Sequence, residues 1–158
     1  MAIKAFTNLP ITHSPNHPIT QFTMYSVTKR IDFCYGHRLL DYDGICKHPH
    51  GHNAVAEIEV RTGQLDSRNM VCDFSDIKRI VKGWIDKELD HKMLLRHDDP
   101  LVKPLQQLGE PVYLLDSNPT VERIARLIFE YASTQGLPVV RVKVWETPTS
   151  FAEYTTES

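Results

Sequence analysis

The sequence has no long apolar segment. Nowhere do its 158 residues approach the run of about 20 apolar residues that a membrane-spanning helix needs. Its beginning, MAIKAFTNLPITHSPNHPIT, also lacks the charged-then-apolar order of a secretory signal. We therefore expect no membrane partner and a cytoplasmic protein.

A surplus of basic charge is missing as well. The chain has 18 Lys and Arg residues against 20 Asp and Glu residues, and its formal net charge is −2. A protein that binds nucleic acid over a long footprint needs cationic side chains to neutralise the phosphates. The composition argues against this class, and we expect no nucleic-acid partner.

Cysteine is scarce and odd in number. Cys34, Cys46 and Cys72 cannot all pair with one another, so free thiols are favoured over a disulfide framework in a cytosolic-looking chain. Cys34 lies in an apolar strand-like run and Cys72 precedes an expected helix, and both are predicted to be small buried hydrophobic residues. The sequence also has no repeat of fixed period and no low-complexity tract.

The residues that are present have the pattern of one domain. The length and the 41% hydrophobic content are typical of a single globular domain with a substantial core. Residues 1–22 carry Pro10, Pro15 and Pro18 among polar residues and are predicted to form an extended N-terminal arm. Residues 23–158 are predicted to form the single folded domain.

Two alternating runs predict the first two strands. In YSVTKRIDFCYGHRL, which starts at Tyr25, the apolar residues occupy every second position, and His37 lies on the same parity. In HNAVAEIEVRTG, which starts at His52, alternation predicts a second strand. His50 and His52 continue its apolar parity backwards.

Helical spacing then replaces alternation. DFSDIKRIVKGWIDKELDH, from Asp73, predicts a helix capped by Asp73 or Ser75. NPTVERIARLIFEYASTQG predicts a second helix with Asn118 as its cap and Gly136 as its stop. Between them, residues 92–117 form a connector interrupted by prolines, a length often found in functional or mobile segments.

Two further strands, PVVRVKVWET and SFAEYTTE, close the chain. The order strand, strand, helix, helix, strand, strand predicts an α+β fold, with an antiparallel sheet that carries its helices on one face.

The segment GICKHPHGHN holds the strongest chemical signal. His50 and His52 stand two residues apart on one strand face, so both side chains can reach one metal ion. A catalytic zinc site typically has three protein ligands and one open position. His37 and His48 compete for the third place, and we prefer His37 because ligands drawn from two strands close a tetrahedron more easily.

Cys46 stands four residues before His50. Its thiol could be a fourth ligand that closes a structural zinc site, or a base or nucleophile beside a catalytic metal. The spacing does not separate these roles.

Two carboxylates complete the candidate set. Asp90 adjoins His91, a pairing that fixes an imidazole tautomer, although such a pair at a helix C-terminus can also serve the helix dipole alone. Glu146 ends the apolar parity of the third strand. It could receive two parallel hydrogen bonds from the amidine edge of a pterin or guanine, or it could simply emerge into water.

These motifs together resemble the 6-pyruvoyl-tetrahydropterin and 6-carboxy-tetrahydropterin synthase family. The resemblance runs from about Thr28 to Tyr154 and rests on FCYGHRL, CKHPHGHN, MVCDFSDIK, LDHKML, NPTVE and VWETPTS, in that order. It implies the tunnelling fold (T-fold), a four-stranded antiparallel sheet with two helices on one face. It also implies trimers, usually doubled to hexamers, with active sites between subunits.

The resemblance assigns roles to individual residues. It implies that zinc is held by His37, His50 and His52. It implies that Cys46 is the catalytic thiol, and that Asp90 and His91 complete a proton relay with it.

The same resemblance gives the substrate contacts. It implies that Glu146 anchors the pterin ring and belongs to the catalytic set, and that Thr120 lies near the pterin pocket. Zinc would act as a Lewis acid, and no external redox cofactor would be needed.

The three residues between Cys46 and His50 resemble the bacterial carboxy-forming enzymes of the queuosine pathway. That branch implies conversion of 7,8-dihydroneopterin triphosphate to 6-carboxy-5,6,7,8-tetrahydropterin, acetaldehyde and triphosphate. Three alternatives stay open. They are formation of 6-pyruvoyl-tetrahydropterin, a zinc-hydroxide hydratase or hydrolase that does not need Cys46, and a non-enzymatic structural zinc module.

Overall fold

The computed structural model describes residues 24–156. The predicted N-terminal arm, 1–22, lies outside the described residues. Within residues 24–156, no helix is long and apolar enough to cross a membrane.

The first two strands form the longest pairing of the sheet. β1 (Tyr25–His37) and β2 (His50–Thr62) run antiparallel, in register from Tyr25 opposite Thr62 to His37 opposite His50. The predicted alternation is present where the pair meets the core, because every second residue is buried from Ile31 to His37 in β1 and from Ala54 to Val60 in β2. A short 3-10 turn (Ile45–Lys47) directly precedes β2.

The helical segment after β2 is one run of three parts. α1 (Phe74–Ile77) passes through a π-helical turn (Lys78–Lys82) into α2 (Gly83–Glu88). Of the two predicted caps, Asp73 accepts a hydrogen bond from the Ser75 N–H at 2.8 Å.

The connector 92–117 is structured, and here the prediction of four strands is wrong. It contains β3 (Lys92–Arg96), α3 (Val102–Gln107) and β4 (Val112–Leu115). β3 pairs in parallel with the end of β1, and β4 pairs in parallel with β3. The sheet is therefore mixed. Leu94 and Leu95 are consecutive and both fully buried, so β3 has no alternation to reveal it.

The second predicted helix is α4 (Val121–Thr134), and its start differs from the prediction. Thr120 is the N-cap, and its Oγ1 accepts from the Arg123 N–H at 3.3 Å. Asn118, the predicted cap, instead exchanges two hydrogen bonds with the backbone of Leu40. Gly136, with φ of 80°, follows the helix as predicted.

The sheet closes with β5 (Val139–Thr147) and β6 (Ser150–Thr155). The strand order is β4-β3-β1-β2-β5-β6. The main core lies between one face of this sheet and two helical segments, the run from α1 to α2 and the helix α4, while α3 has no buried residue. Its fully buried members include Ile58, Val60, Val142 and Val144 from the sheet and Ile77, Ile85, Ile124 and Ile128 from the helices.

Candidate functional site

Three imidazoles meet where β1 ends and β2 begins. His37 is paired with His50, and Tyr35 is paired with His52, across the two strands. Because side chains alternate between faces, His37, His50 and His52 all project to the helix-covered face. One nitrogen from each ring lies within 4.8 Å of the others. We call this group the histidine cluster.

Backbone carbonyls orient two of the three rings. His37 Nδ1 is 2.7 Å from the Pro119 carbonyl oxygen, and His50 Nδ1 is 2.9 Å from the His48 carbonyl oxygen. Since a carbonyl can only accept, each Nδ1 donates and leaves Nε2 with a free lone pair. His48, the rival third ligand, is exposed and contributes its backbone here.

The histidine cluster has the donor set that a zinc ion prefers. Imidazole nitrogens are common zinc ligands, and burial lowers the pKa of His37, which favours the neutral form of that ring. The Nε2 atoms of His37 and His52 face each other at 3.1 Å, a separation that calls for a proton or a cation between them. The three residues therefore form a possible metal site.

Gly51 allows the two strands to approach at this point. A Cβ atom added at Gly51 would lie 2.9 Å from the Tyr35 carbonyl oxygen, closer than folded proteins tolerate. The absence of a side chain between His50 and His52 thus sets the strand spacing that brings the rings together.

The predicted site residues, except Asp90 and His91, share a cavity of about 270 Å³, which we call the histidine cavity. It is lined by His37, Leu39, Cys46, His50, His52, Thr120, Val121, Glu122 and Glu146. Three elements contribute beyond the first two strands: the 3-10 turn carries Cys46, the start of α4 carries Thr120, and the end of β5 carries Glu146. The fold therefore assembles one compact pocket from distant parts of the sequence.

Cys46 is positioned by its own backbone. Its carbonyl oxygen accepts a hydrogen bond from the Leu39 N–H at 2.9 Å, which ties the 3-10 turn to the segment after β1. The thiol lines the histidine cavity but is not among the donor atoms that lie within 4.8 Å of one another. This arrangement favours a thiol beside the metal site over a fourth structural ligand.

Glu146 is directed into the site rather than into water. Its Oε1 lies 3.7 Å from the Nε2 atoms of both His37 and His52. The same oxygen accepts a hydrogen bond from the Tyr35 hydroxyl at 2.8 Å.

Sequence reasoning treated Tyr35 only as a core residue. Burial and the charge of Glu146 raise the pKa of Tyr35 well above its usual range, so the phenol is a permanent donor. The one available signal was that Tyr35 and Glu146 both lie on apolar parities of their strands.

Asp90 and His91 lie outside the histidine cavity. They follow α2, and His91 has a left-handed φ of 57°. Asp90 Oδ2 is 2.8 Å from His91 Nδ1, while Oδ1 accepts the Cys34 N–H at 2.8 Å. Burial would raise the pKa of Asp90, but the hydrogen bonds from Cys34 and His91 outweigh it and hold that pKa below its usual value.

The Asp90–His91 pair is not joined to Cys46 within one chain. Its thiol neighbour is Cys34, whose side chain points to the sheet face opposite the histidine cluster and is half-buried rather than core. His91 and Cys34 line a second cavity of about 670 Å³, which we call the outer cavity and to which His52 also contributes. Its walls include Met93, Leu105, Leu108 and Pro111, three of them from the α3 region that the sequence did not reveal.

Comparison with known proteins covers the same part of the chain. The family model described as 6-pyruvoyl tetrahydropterin synthase matches residues 26–157, nearly the whole described chain. The chain belongs to the 6-pyruvoyl tetrahydropterin synthase family. The α+β class expected from the resemblance is confirmed, with six strands in place of four.

Several relatives of this family are similar over almost their full length. The chain is 36% identical over 137 residues to a 6-carboxy-5,6,7,8-tetrahydropterin synthase of Rickettsia bellii, covering 82% of this chain and 99% of that protein. A protein of the same name from Haemophilus influenzae is 33% identical over 139 residues, covering 83% and 99%.

Solved structures agree in fold. An uncharacterized protein from Wolinella succinogenes superposes with a TM-score of 0.72 at 26% identity, covering 85% of this chain and 99% of that one. The 6-pyruvoyl tetrahydropterin synthase of Caenorhabditis elegans gives a TM-score of 0.64 at 24% identity, covering 86% and 98%. The latter similarity establishes the synthase-family fold alone.

Proposed function

We propose that this family member is a 6-carboxy-5,6,7,8-tetrahydropterin synthase. It would convert 7,8-dihydroneopterin triphosphate to 6-carboxy-5,6,7,8-tetrahydropterin, acetaldehyde and triphosphate, within queuosine biosynthesis in the cytoplasm. The observation that carries the proposal is the histidine cavity, where a thiol, a carboxylate and three imidazoles that could hold a metal ion converge. The similarity to curated proteins of that name supports the branch.

In this proposal His37, His50 and His52 hold a zinc ion through their Nε2 atoms. A zinc ion bound there would supply Lewis-acid chemistry that polarises substrate oxygens and acidifies the adjacent C–H bonds. The chain's own contribution is orientation, because the carbonyls of Pro119 and His48 fix the first two rings with Nε2 directed into the cavity.

Cys46 and Glu146 have different roles towards the substrate. The Cys46 thiolate removes a proton from the substrate side chain, and Glu146 receives the pterin ring. The N3–H and 2-amino groups of a pterin are parallel donors that a carboxylate can accept together. Thr120 lines the same cavity at the start of α4 and completes the wall beside the ring.

Asp90 and His91 serve as the second proton relay, and a neighbouring copy of the chain supplies them. Within one chain His91 borders the outer cavity, and neither Asp90 nor His91 lines the histidine cavity. Among residues 24–156, several strand edges are open for assembly: β4 and β6 are the terminal strands, and β3 covers β1 only at Tyr35–His37. Edge pairing between copies would close the subunits into a trimer, which can double to a hexamer.

The domain organisation belongs to the same proposal. The catalytic domain is assigned to residues 23–158, of which 24–156 are described.

Product analysis tests the proposed function. Zinc-loaded protein is incubated anaerobically with 7,8-dihydroneopterin triphosphate, and the products are identified by mass spectrometry. 6-Carboxy-tetrahydropterin with acetaldehyde is the expected result. A 6-pyruvoyl product would move the chain to the other branch of the family, and absence of turnover by metal-replete oligomer would contradict a pterin synthase.

A further inference from the structure

A buried tyrosine hydroxyl reaches the carboxylate at the centre of the histidine cavity. The Tyr35 hydroxyl donates to Glu146 Oε1 at 2.8 Å, and only 3% of Tyr35 is exposed. Its ring packs edge-on against His37, with centroids 5.1 Å apart, and lies 5.7 Å from the ring of His52. The hydroxyl is therefore held in place by packing on the same residues that build the site.

This hydrogen bond makes the two carboxylate oxygens of Glu146 unequal. Oε1 is occupied by Tyr35, which leaves Oε2 and the remaining lone pair of Oε1 for a ligand. Oε1 also lies 3.7 Å from Nε2 of His37 and of His52. A small rotation would carry that oxygen towards a cation held by the histidine cluster, where a carboxylate is a good ligand.

We propose that Tyr35 is a positioning residue that keeps Glu146 directed at the pterin ring and away from the metal ion. This inference rests on the proposed function, in which Glu146 anchors a pterin. It adds one residue to the histidine cluster, Cys46 and the Asp90–His91 pair. It assigns the phenol of this residue a role in ligand recognition rather than in the chemical step.

The chain permits a substitution that removes this role and little else. Tyr35→Phe keeps the buried ring and its packing on His37 and His52, and it deletes only the hydroxyl. Tyr113→Phe is the matched control, since Tyr113 is a half-buried tyrosine on β4, outside the histidine cavity.

The experiment measures two affinities for the full-length oligomer of each variant. Neopterin binding is followed by the fluorescence of the pterin ring, and zinc binding by competition with a chromophoric chelator. Loss of a hydrogen bond to a charged group predicts about tenfold weaker neopterin binding by Tyr35→Phe. Zinc binding should be unchanged or tighter, because the released carboxylate can approach the ion. Tyr113→Phe should match the wild type in both measurements.

A steady-state readout separates positioning from chemistry. In Tyr35→Phe, KM for the dihydropterin substrate should rise about tenfold while kcat changes little, as expected when ground-state and transition-state binding are lost equally.

Other outcomes overturn the inference. Neopterin affinity within twofold of the wild type would show that the hydroxyl does not position Glu146. Parallel loss of zinc affinity, neopterin affinity and thermal stability would show a purely structural tyrosine. Wild-type protein that binds no neopterin and turns over no dihydropterin would instead contradict the proposed function, and with it the inference.

Discussion

His37 and His50 are direct cross-strand partners, the last residue of β1 opposite the first residue of β2. This single pairing places two candidate ligands from separate strands on one face, and His52 follows two residues later on the same face. The histidine cluster is thus a consequence of strand register. A one-residue slip would turn the histidines of one strand to the opposite face of the sheet.

Removal of any one ring should empty the metal site. We expect His37→Ala, His50→Ala and His52→Ala each to lower zinc affinity by at least about tenfold, because three neutral imidazoles are the minimum set there. Metal content after gel filtration, measured by mass spectrometry, checks this. His48→Ala is the control and should retain its zinc, and equal loss in that variant would contradict the assignment of ligands.

Gly51→Ala should damage the site without touching a ligand. The new methyl group would meet the Tyr35 carbonyl oxygen at 2.9 Å, and this contact is with the backbone rather than with the end of a flexible side chain. Overpacking of this kind costs about 1–3 kcal/mol of unfolding free energy, and forced separation of the strands should weaken zinc binding too.

Gly36→Ala is the comparison for that variant. Its methyl group would meet the side chain of Met93 at 3.1 Å, and methionine can move aside. Urea melts and zinc titrations of the two variants together provide the measurement. Equal effects would contradict the view that backbone approach at Gly51 builds the site.

Asp90 should contribute stability that depends on pH. Its pKa in the folded protein is held below the usual value of 3.8 by hydrogen bonds from Cys34 and His91. A lowered folded-state pKa gives stability that is fully present above the unfolded pKa and is lost as pH falls through the folded pKa.

The measurement compares wild-type protein with Asp90→Asn in urea melts from neutral pH downward. The difference in unfolding free energy should stay constant to about pH 5 and then shrink in more acidic buffer. Asp43→Asn, at an exposed loop position, should show no such trend. A difference for Asp90→Asn that is independent of pH would argue that the carboxylate charge contributes nothing.

Much of this fold was accessible from the sequence, and the failures have definite causes. Alternation gave β1 and β2, and parity correctly predicted that His37, His50 and His52 share a face. β3 and β4 were missed because Lys92–Arg96 is short, has two consecutive buried leucines, and pairs in parallel with a distant strand. A parallel pairing with a distant strand leaves no local pattern in the sequence from which it could be predicted.

The contacts around the site also depend on register across several strands. Tyr35 reaches Glu146 only because β2 lies between β1 and β5 at a particular offset, which a single sequence does not specify. Asn118 looked like a helix cap, but its side chain is used to hold the backbone of Leu40, and Thr120 takes the capping position. When a side chain has several possible hydrogen-bond partners, tertiary contacts decide which partner it takes, and local preference does not.

Mixed oligomers should reveal whether the relay crosses between copies. Cys46→Ala and His91→Ala are each expected to be inactive alone. When they are unfolded together and reassembled, about a quarter of the sites between random neighbours should carry both intact residues. Recovery of about that fraction of activity supports shared sites, whereas reassembled oligomers with no activity would place the complete relay within one chain.

We propose that Cys46 and the histidine cluster form one catalytic centre, and the Cys46→Ala variant distinguishes this arrangement from chemistry at the metal alone. We would measure zinc content and anaerobic turnover of 7,8-dihydroneopterin triphosphate in Cys46→Ala, with Cys72→Ala as the matched thiol control. Cys46→Ala should keep its zinc and lose turnover, while Cys72→Ala should keep both its zinc and its turnover. A Cys46→Ala protein that retains wild-type turnover would contradict this arrangement, since chemistry that needs only the metal centre does not need this thiol.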